Sequence, residues 1–580
     1  MIPSATDRLI RGGTLVDGTG AAPRRADVRV QDGSITEIAP SLAPREGEAV
    51  YDASGCFVAP GFIESHTHFD GTMWWQPDLE PLPGYGITTV IMGNCGFALA
   101  PLPADTDARA EVVKIFSFFE DIPEAPFFEN LPWDWRTWSE YKTSLMQNVR
   151  VPANYGTFAG HIALRLAVLG MPAWERAATP QEIQEMAELL DDALSAGSLG
   201  LSTNLMDHDG ENRPVPSLHA DDAELRALLE VLARHPGATL QVVVDSIMRM
   251  TAVDSMERIA RLVDGLDVRV QWAGVPTLQW QKDYGLQEPL AKLHERFAHE
   301  GRDFWTGFMH MPLTVVASVE HSLLFAQSNE FVWHEVVTEE GEPEKRALLQ
   351  DPEWRARARH SWDHESLETS PFRKPQGILL DNSANGAGPS GITLGEFADG
   401  RSQHPSDALA DWLLDNGLAS TVTMPPWERD DAMVLRLLKD RFSVGNISDA
   451  GAHGQMFCGA GDNIVLFTHF VRETGELTIE EAVHVQSGKL AGFFGLADRG
   501  EIAVGKRADI TVFALDEVER RPKHKTYDVP DGKGGHTWRW TRDPAPVRLT
   551  LVNGVPTFEA GKSTGARPGT LVGPGADAAS

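Results

Sequence analysis

The 580-residue chain is 42% hydrophobic and carries a formal net charge of −32. That is enough apolar material for a large core with a satellite unit, and a charge balance that argues against nucleic acid or anionic membrane as partners. No run approaches the roughly 20 apolar residues that span a bilayer, the opening MIPSATDRLI lacks the basic-then-apolar order of a secretion signal, and the three scattered cysteines make no disulfide framework. The expectation is a cytoplasmic protein acting on a small molecule, with homo-oligomer formation left open.

In chain order, residues 9–18 and 26–35 alternate apolar and polar side chains around Asp-Gly turns and predict a small β-meander. An apolar entry at 57–63 then leads into Glu64-Ser65-His66-Thr67-His68. Alternate residues of a strand share a face, so the two imidazoles can reach one metal ion; the bland alternative is a pair of incidental loop histidines. A second apolar run, Thr89-Val90-Ile91-Met92, leads to Cys95 inside Gly93-Asn94-Cys95-Gly96. From residue 60 onward, apolar strands alternate with amphipathic helices such as 181–196 and 223–235, the pattern of a βα-repeating barrel. The segment from Phe118 to Trp138 is rich in aromatic rings and reads either as a wall over an apolar substrate or as packing onto the barrel. Residues 442–453 run from strand to loop through Ser448-Asp449, and the β pattern returns at 505–513 and around the Asn553-Gly554 turn.

Four segments, GFIESHTH at 61–68, TTVIMGNCGFALAP at 88–101, SAGSLGLSTNL at 195–205 and GEIAVGKRADITVF at 500–513, together resemble the amidohydrolase superfamily. Within it they look most like the D-aminoacylase (N-acyl-D-amino-acid deacylase) group. The resemblance implies an α/β fold: a distorted TIM (β/α)8 barrel over residues 60–499, with an aromatic-rich insertion near 105–150. A small β-sandwich would be built from both chain ends, residues 1–59 and 500–580. It also implies hydrolysis of a non-peptide C–N amide bond by a metal-activated water, with one or two zinc ions.

Carried over position by position, His66, His68 and Cys95 match metal ligands of the group, and Asp449 matches the aspartate that serves as general base. For Cys95 the alternative is a buried thiol filling a core gap, and for Asp449 a helix N-cap. The group's histidine in a Thr-His-x-Arg element falls at Asp245, which retains an oxygen donor, and its Ser-His histidine falls at Gln271 or Trp272. His161, in a Gly-His-x-x-Leu-Arg element, and His310, after the strand-like 303–309, are candidates for substrate contact; for each, a hydrogen-bonded histidine without that role is the competing reading. The cations that would grip a substrate carboxylate are missing: Gly274 stands near one place, and the loop 451–462 contains no arginine. A hydrophobic or cyclic amide, or a lactone, therefore stays open as substrate. The competing class is a catalytically degenerate barrel that survives as a binding protein.

Overall fold

The computed structural model describes residues 7–211, 213–246, 250–320, 332–339, 341–365 and 373–574. Its core is a set of parallel strands, numbered here for the barrel alone: β1 Phe62–Glu64, β2 Ile87–Met92, β3 Asn154–Thr157, β4 Gly200–Asn204, β5 Thr239–Val243, β6 Arg269–Ala273, β7 Phe304–Gly307 and β8 Ser443–Val444. β1, β2 and β3 pair in parallel. After a break at Phe158 the chain resumes as Ala159–Gly160 and joins β4, which leads through β5, β6 and β7 to β8. Beyond the ends of β8 and β1, Ile447–Ala450 pairs in parallel with His66–Thr67. The result is a distorted TIM barrel of mixed α/β class.

The strands are buried along most of their length because both faces are covered, as parallel sheets require, and some carry polar residues there, such as Asn154 and Thr157 on β3 and Ser202, Thr203 and Asn204 on β4. β2 is buried along its whole length, and its ring of helices includes Pro180–Ala196 and Asp222–Ala233, close to the predicted spans. The first of these begins at a capping box, Thr179 with Glu182, carries proline at its first position and stops at Gly197 in the left-handed region (φ 107°).

Two further bodies frame the barrel. Strands from both chain ends share one sheet in which Phe57–Pro60 pairs antiparallel with Ile510–Phe513, and Ile510 pairs in turn with Leu551. Ile10, Val28, Val58, Val512 and Leu549 pack there in one apolar cluster. Between β7 and β8 lies an element the periodicity did not reveal. It is an antiparallel sheet of Leu313–Ala317, Thr421–Trp427, Leu379–Asn382 and Ile392–Thr393, with helices packed on a separate core around Trp333, Trp354 and Trp412.

The aromatic segment folds as helices α1 (Thr106–Glu120), Ala125–Asn130 and Trp138–Asn148. Its rings are chiefly packing: Phe119 stacks on Phe97 at 4.5 Å, Trp135 stacks on Trp74 at 5.8 Å, and Trp138 is fully buried. Among the described residues, no helix is long and apolar enough to cross a membrane.

Candidate metal centre

The strand breaks at the barrel mouth bring the site together. β1 gives way at Ser65, whose hydroxyl donates to the Gly445 carbonyl at 2.6 Å, and Asn446 Nδ2 donates back to the Ile63 carbonyl at 2.6 Å. These bonds stitch the first strand to the last, and they set His66 and His68 beside Asp449. One ligand atom from each of His66, His68 and Cys95 falls within 4.8 Å of the others. Cys95 Sγ lies 3.2 Å from His66 Nε2 and 3.9 Å from His68 Nε2. Asp449 Oδ1 lies 3.3 Å and 3.7 Å from the same two nitrogens.

Cys95 is held in the left-handed region (φ 59°), which a non-glycine residue adopts at some cost. Its peptide is gripped on both sides. The Cys95 N–H donates to Gln241 Oε1 at 2.9 Å, Asn204 Nδ2 donates to the Cys95 carbonyl at 3.2 Å, and the Gly96 N–H donates to Ser202 Oγ at 3.1 Å. Asp449 also has positive φ (52°), an over-determined backbone of the kind that gathers at functional sites.

Burial and mutual charge set the protonation pattern. Burial pushes the Cys95 thiol up to about 12, with His68 opposing it. For His66, burial brings the imidazole down to about 4 although Asp449 pulls the other way. In His68, burial likewise disfavours the cation, but Glu120 and Asp449 outweigh it and hold the group well above its ordinary value. Asp449 is opposed by burial, yet His66 and His68 keep its carboxyl well below the usual range. Two imidazoles and a thiol are the donor types that zinc takes, and a bound cation deprotonates a coordinating thiol outright.

The remaining predicted residues are placed elsewhere. Asp245 is buried just beyond the end of β5 and does not join the His66–His68–Cys95 group. Its charge bears instead on Asp207, whose carboxyl is raised to about 7, chiefly by burial. The side chain that β5 aims at Cys95 is Gln241, and β6 sets Gln271, not Trp272, level with it in the register. His161 is fully buried with both ring nitrogens engaged, Nδ1 with Thr203 Oγ1 and Nε2 with Glu224 Oε1, each at 2.8 Å, and Arg165 pairs with the same glutamate. That leaves His161 no nitrogen for a substrate: a Gly-His element that reads as a contact is a closed polar network. His310 is fully buried too, with Nε2 3.1 Å from the Asp462 carbonyl, and burial lowers its imidazole to about 4.

Sequence reasoning missed Glu120, at the end of α1. Its Oε1 lies 2.9 Å from His68 Nδ1, both side chains are 2% exposed, and its carbonyl accepts the His453 N–H at 2.6 Å. Glu120 follows an aromatic run with no metal-ligand spacing, so only the fold reveals it.

The amidohydrolase family is matched over residues 49–558. D-aminoacylase of Alcaligenes xylosoxydans xylosoxydans is 27% identical, covering 98% of this chain and 97% of its own length. N-acyl-D-glutamate deacylase of the same organism is 26% identical, covering 98% and 96%. A crystal structure of D-aminoacylase superposes with a TM-score of 0.63 at 25% identity, covering 97% of this chain and 99% of that one.

Proposed function

The chain belongs to the amidohydrolase family and is a hydrolase acting on carbon–nitrogen bonds other than peptide bonds, and from that premise we propose that it deacylates an N-acyl amino acid or a related amide. His66, His68 and Cys95 would hold a zinc ion. When bound there, a divalent cation supplies Lewis acidity at the scissile carbonyl and makes a nucleophile available near neutral pH. Asp449 accepts the proton of the attacking water and returns it to the leaving nitrogen as the C–N bond breaks. The observation that carries this reading is the position of the Asp449 carboxylate, 3.3 Å and 3.7 Å from the two imidazole nitrogens that converge with Cys95 Sγ. From that position the carboxylate is within reach of a water held at the cluster and of the proton it gives up.

For the substrate, the two deacylase relatives support an N-acyl-D-amino acid. One feature favours a less polar one. The cavity beside the Asp449 loop has Phe69, Ile122, Phe457, Trp538 and Trp540 on its wall, rings and alkyl groups that suit an apolar acyl or side-chain moiety, with Glu80, Asp121, Gln455 and Arg539 lining it as well.

The test is a panel of N-acyl-D- and N-acyl-L-amino acids with acidic, aliphatic and aromatic side chains, together with aryl amides. Each is assayed with zinc-loaded protein and again after chelation. Chelator-sensitive hydrolysis with preference for one hand and for apolar side chains is expected. Zinc-loaded protein that binds these amides but hydrolyses none would sink the proposal in favour of a binding role.

A further inference from the structure

We propose that Glu120 is a positioning residue for the metal centre, its carboxylate setting the orientation and donor strength of the His68 imidazole. The inference rests on the reading of His68 as a metal ligand. Glu120 Oε1 stands 2.9 Å from His68 Nδ1, the nitrogen facing away from the cluster, while His68 Nε2 faces Cys95 and Asp449. The ring's N–H axis is off the oxygen, so the contact is chiefly electrostatic as it stands. A carboxylate on the far nitrogen of a ligating histidine fixes the tautomer that leaves the near nitrogen's lone pair for the metal, and it raises that nitrogen's basicity.

The placement of Glu120 is otherwise unfavourable. A carboxylate at the C-terminal end of a helix faces the negative end of the helix dipole, and this one is buried as well. Glu120 Oε2 is buried without a hydrogen-bond partner, 3.9 Å from His453 Nε2. A purely structural role would not need the side chain. The backbone carbonyl of Glu120 already anchors the helix end to the His453 N–H, and the Phe119–Phe97 stack holds α1 against the Cys95 loop. What remains for the carboxylate is the imidazole it touches.

The experiment uses full-length protein as wild type, Glu120→Gln, Glu120→Asp and His68→Ala. Zinc affinity is read by competition with a chromophoric chelator, apo-protein melting temperature by circular dichroism, and the ligand set by the absorption of the cobalt(II) form. Expected are wild-type metal equivalents in Glu120→Gln with affinity about 10- to 100-fold weaker, a smaller loss in Glu120→Asp, and an unchanged cobalt spectrum in both. Wild-type affinity in both variants, with or without a lower apo melting temperature, would overturn the positioning role. So would a cobalt spectrum that changes in Glu120→Gln, since Glu120 would then be a ligand itself. Metal retained at full affinity by His68→Ala would instead refute the ligand reading beneath the proposal, and the proposal with it.

Discussion

Asp449→Asn isolates the proton-transfer role from everything else that the aspartate does. Asparagine has the same shape, keeps an oxygen acceptor near His66 and His68, and tolerates the left-handed backbone that this position imposes (φ 52°). What it loses is the capacity to take a proton. The wild-type carboxylate sits within 3.7 Å of both imidazole nitrogens and is held ionised by them against the pull of burial, so the whole contribution of a positioned base is at stake. Such groups contribute about two to four orders of magnitude to turnover, or about 3–5 kcal/mol of barrier. The expected result is therefore a fall of about 10²- to 10⁴-fold in kcat with KM little changed, measured under steady state on the best amide of the substrate panel. Metal content must be read on the same samples. A loss of rate with zinc retained identifies the base, whereas loss of both makes Asp449 chiefly a ligand. Wild-type turnover in Asp449→Asn would refute the reasoning.

Cys95→Ser retains nearly the same volume and a residue able to occupy the gripped loop, but offers a much poorer donor to zinc. Zinc affinity should fall by at least tenfold on chelator titration while the apo melting temperature moves little; lower apo stability with zinc retained would mark Cys95 as a packing residue. Truncation at about residue 500 removes the strand partner of Phe57–Pro60 and bares the apolar faces of Val58 and Ile10, so insoluble protein is expected. A soluble, active fragment ending there would show that the N-terminal strands do not depend on the C-terminal ones.

Several of these features were legible in the chain itself because they are local. The i, i+2 spacing of His66 and His68 reads as one strand face; in the structure His66 lies in the short strand His66–Thr67 and His68 just past it, at the start of the helical turn Phe69–Thr72, and the two rings still converge. The strand–helix alternation follows from side-chain periodicity, and Cys95 stands out by its Gly-Asn-Cys-Gly setting directly after an apolar run. His161 shows where local reading misleads: its motif is plain in the sequence, but whether an imidazole faces a mouth or a Glu224–Arg165 pair is a matter of which helix packs over it.

The remainder of the site depended on tertiary structure. Cys95 meets the histidines just past the end of β1, Asp449 arrives from the short strand Ile447–Ala450 that follows β8, and Glu120 comes from a helix between β2 and β3. Asp245 looked like the donor from β5, yet strand register sends Gln241 to Cys95 instead. Spacing along one strand determines which side chains share a face, because the backbone repeat is fixed. Which side chains of different strands converge is determined only when the barrel closes and the strands take their register, and that is decided by packing summed over the whole chain.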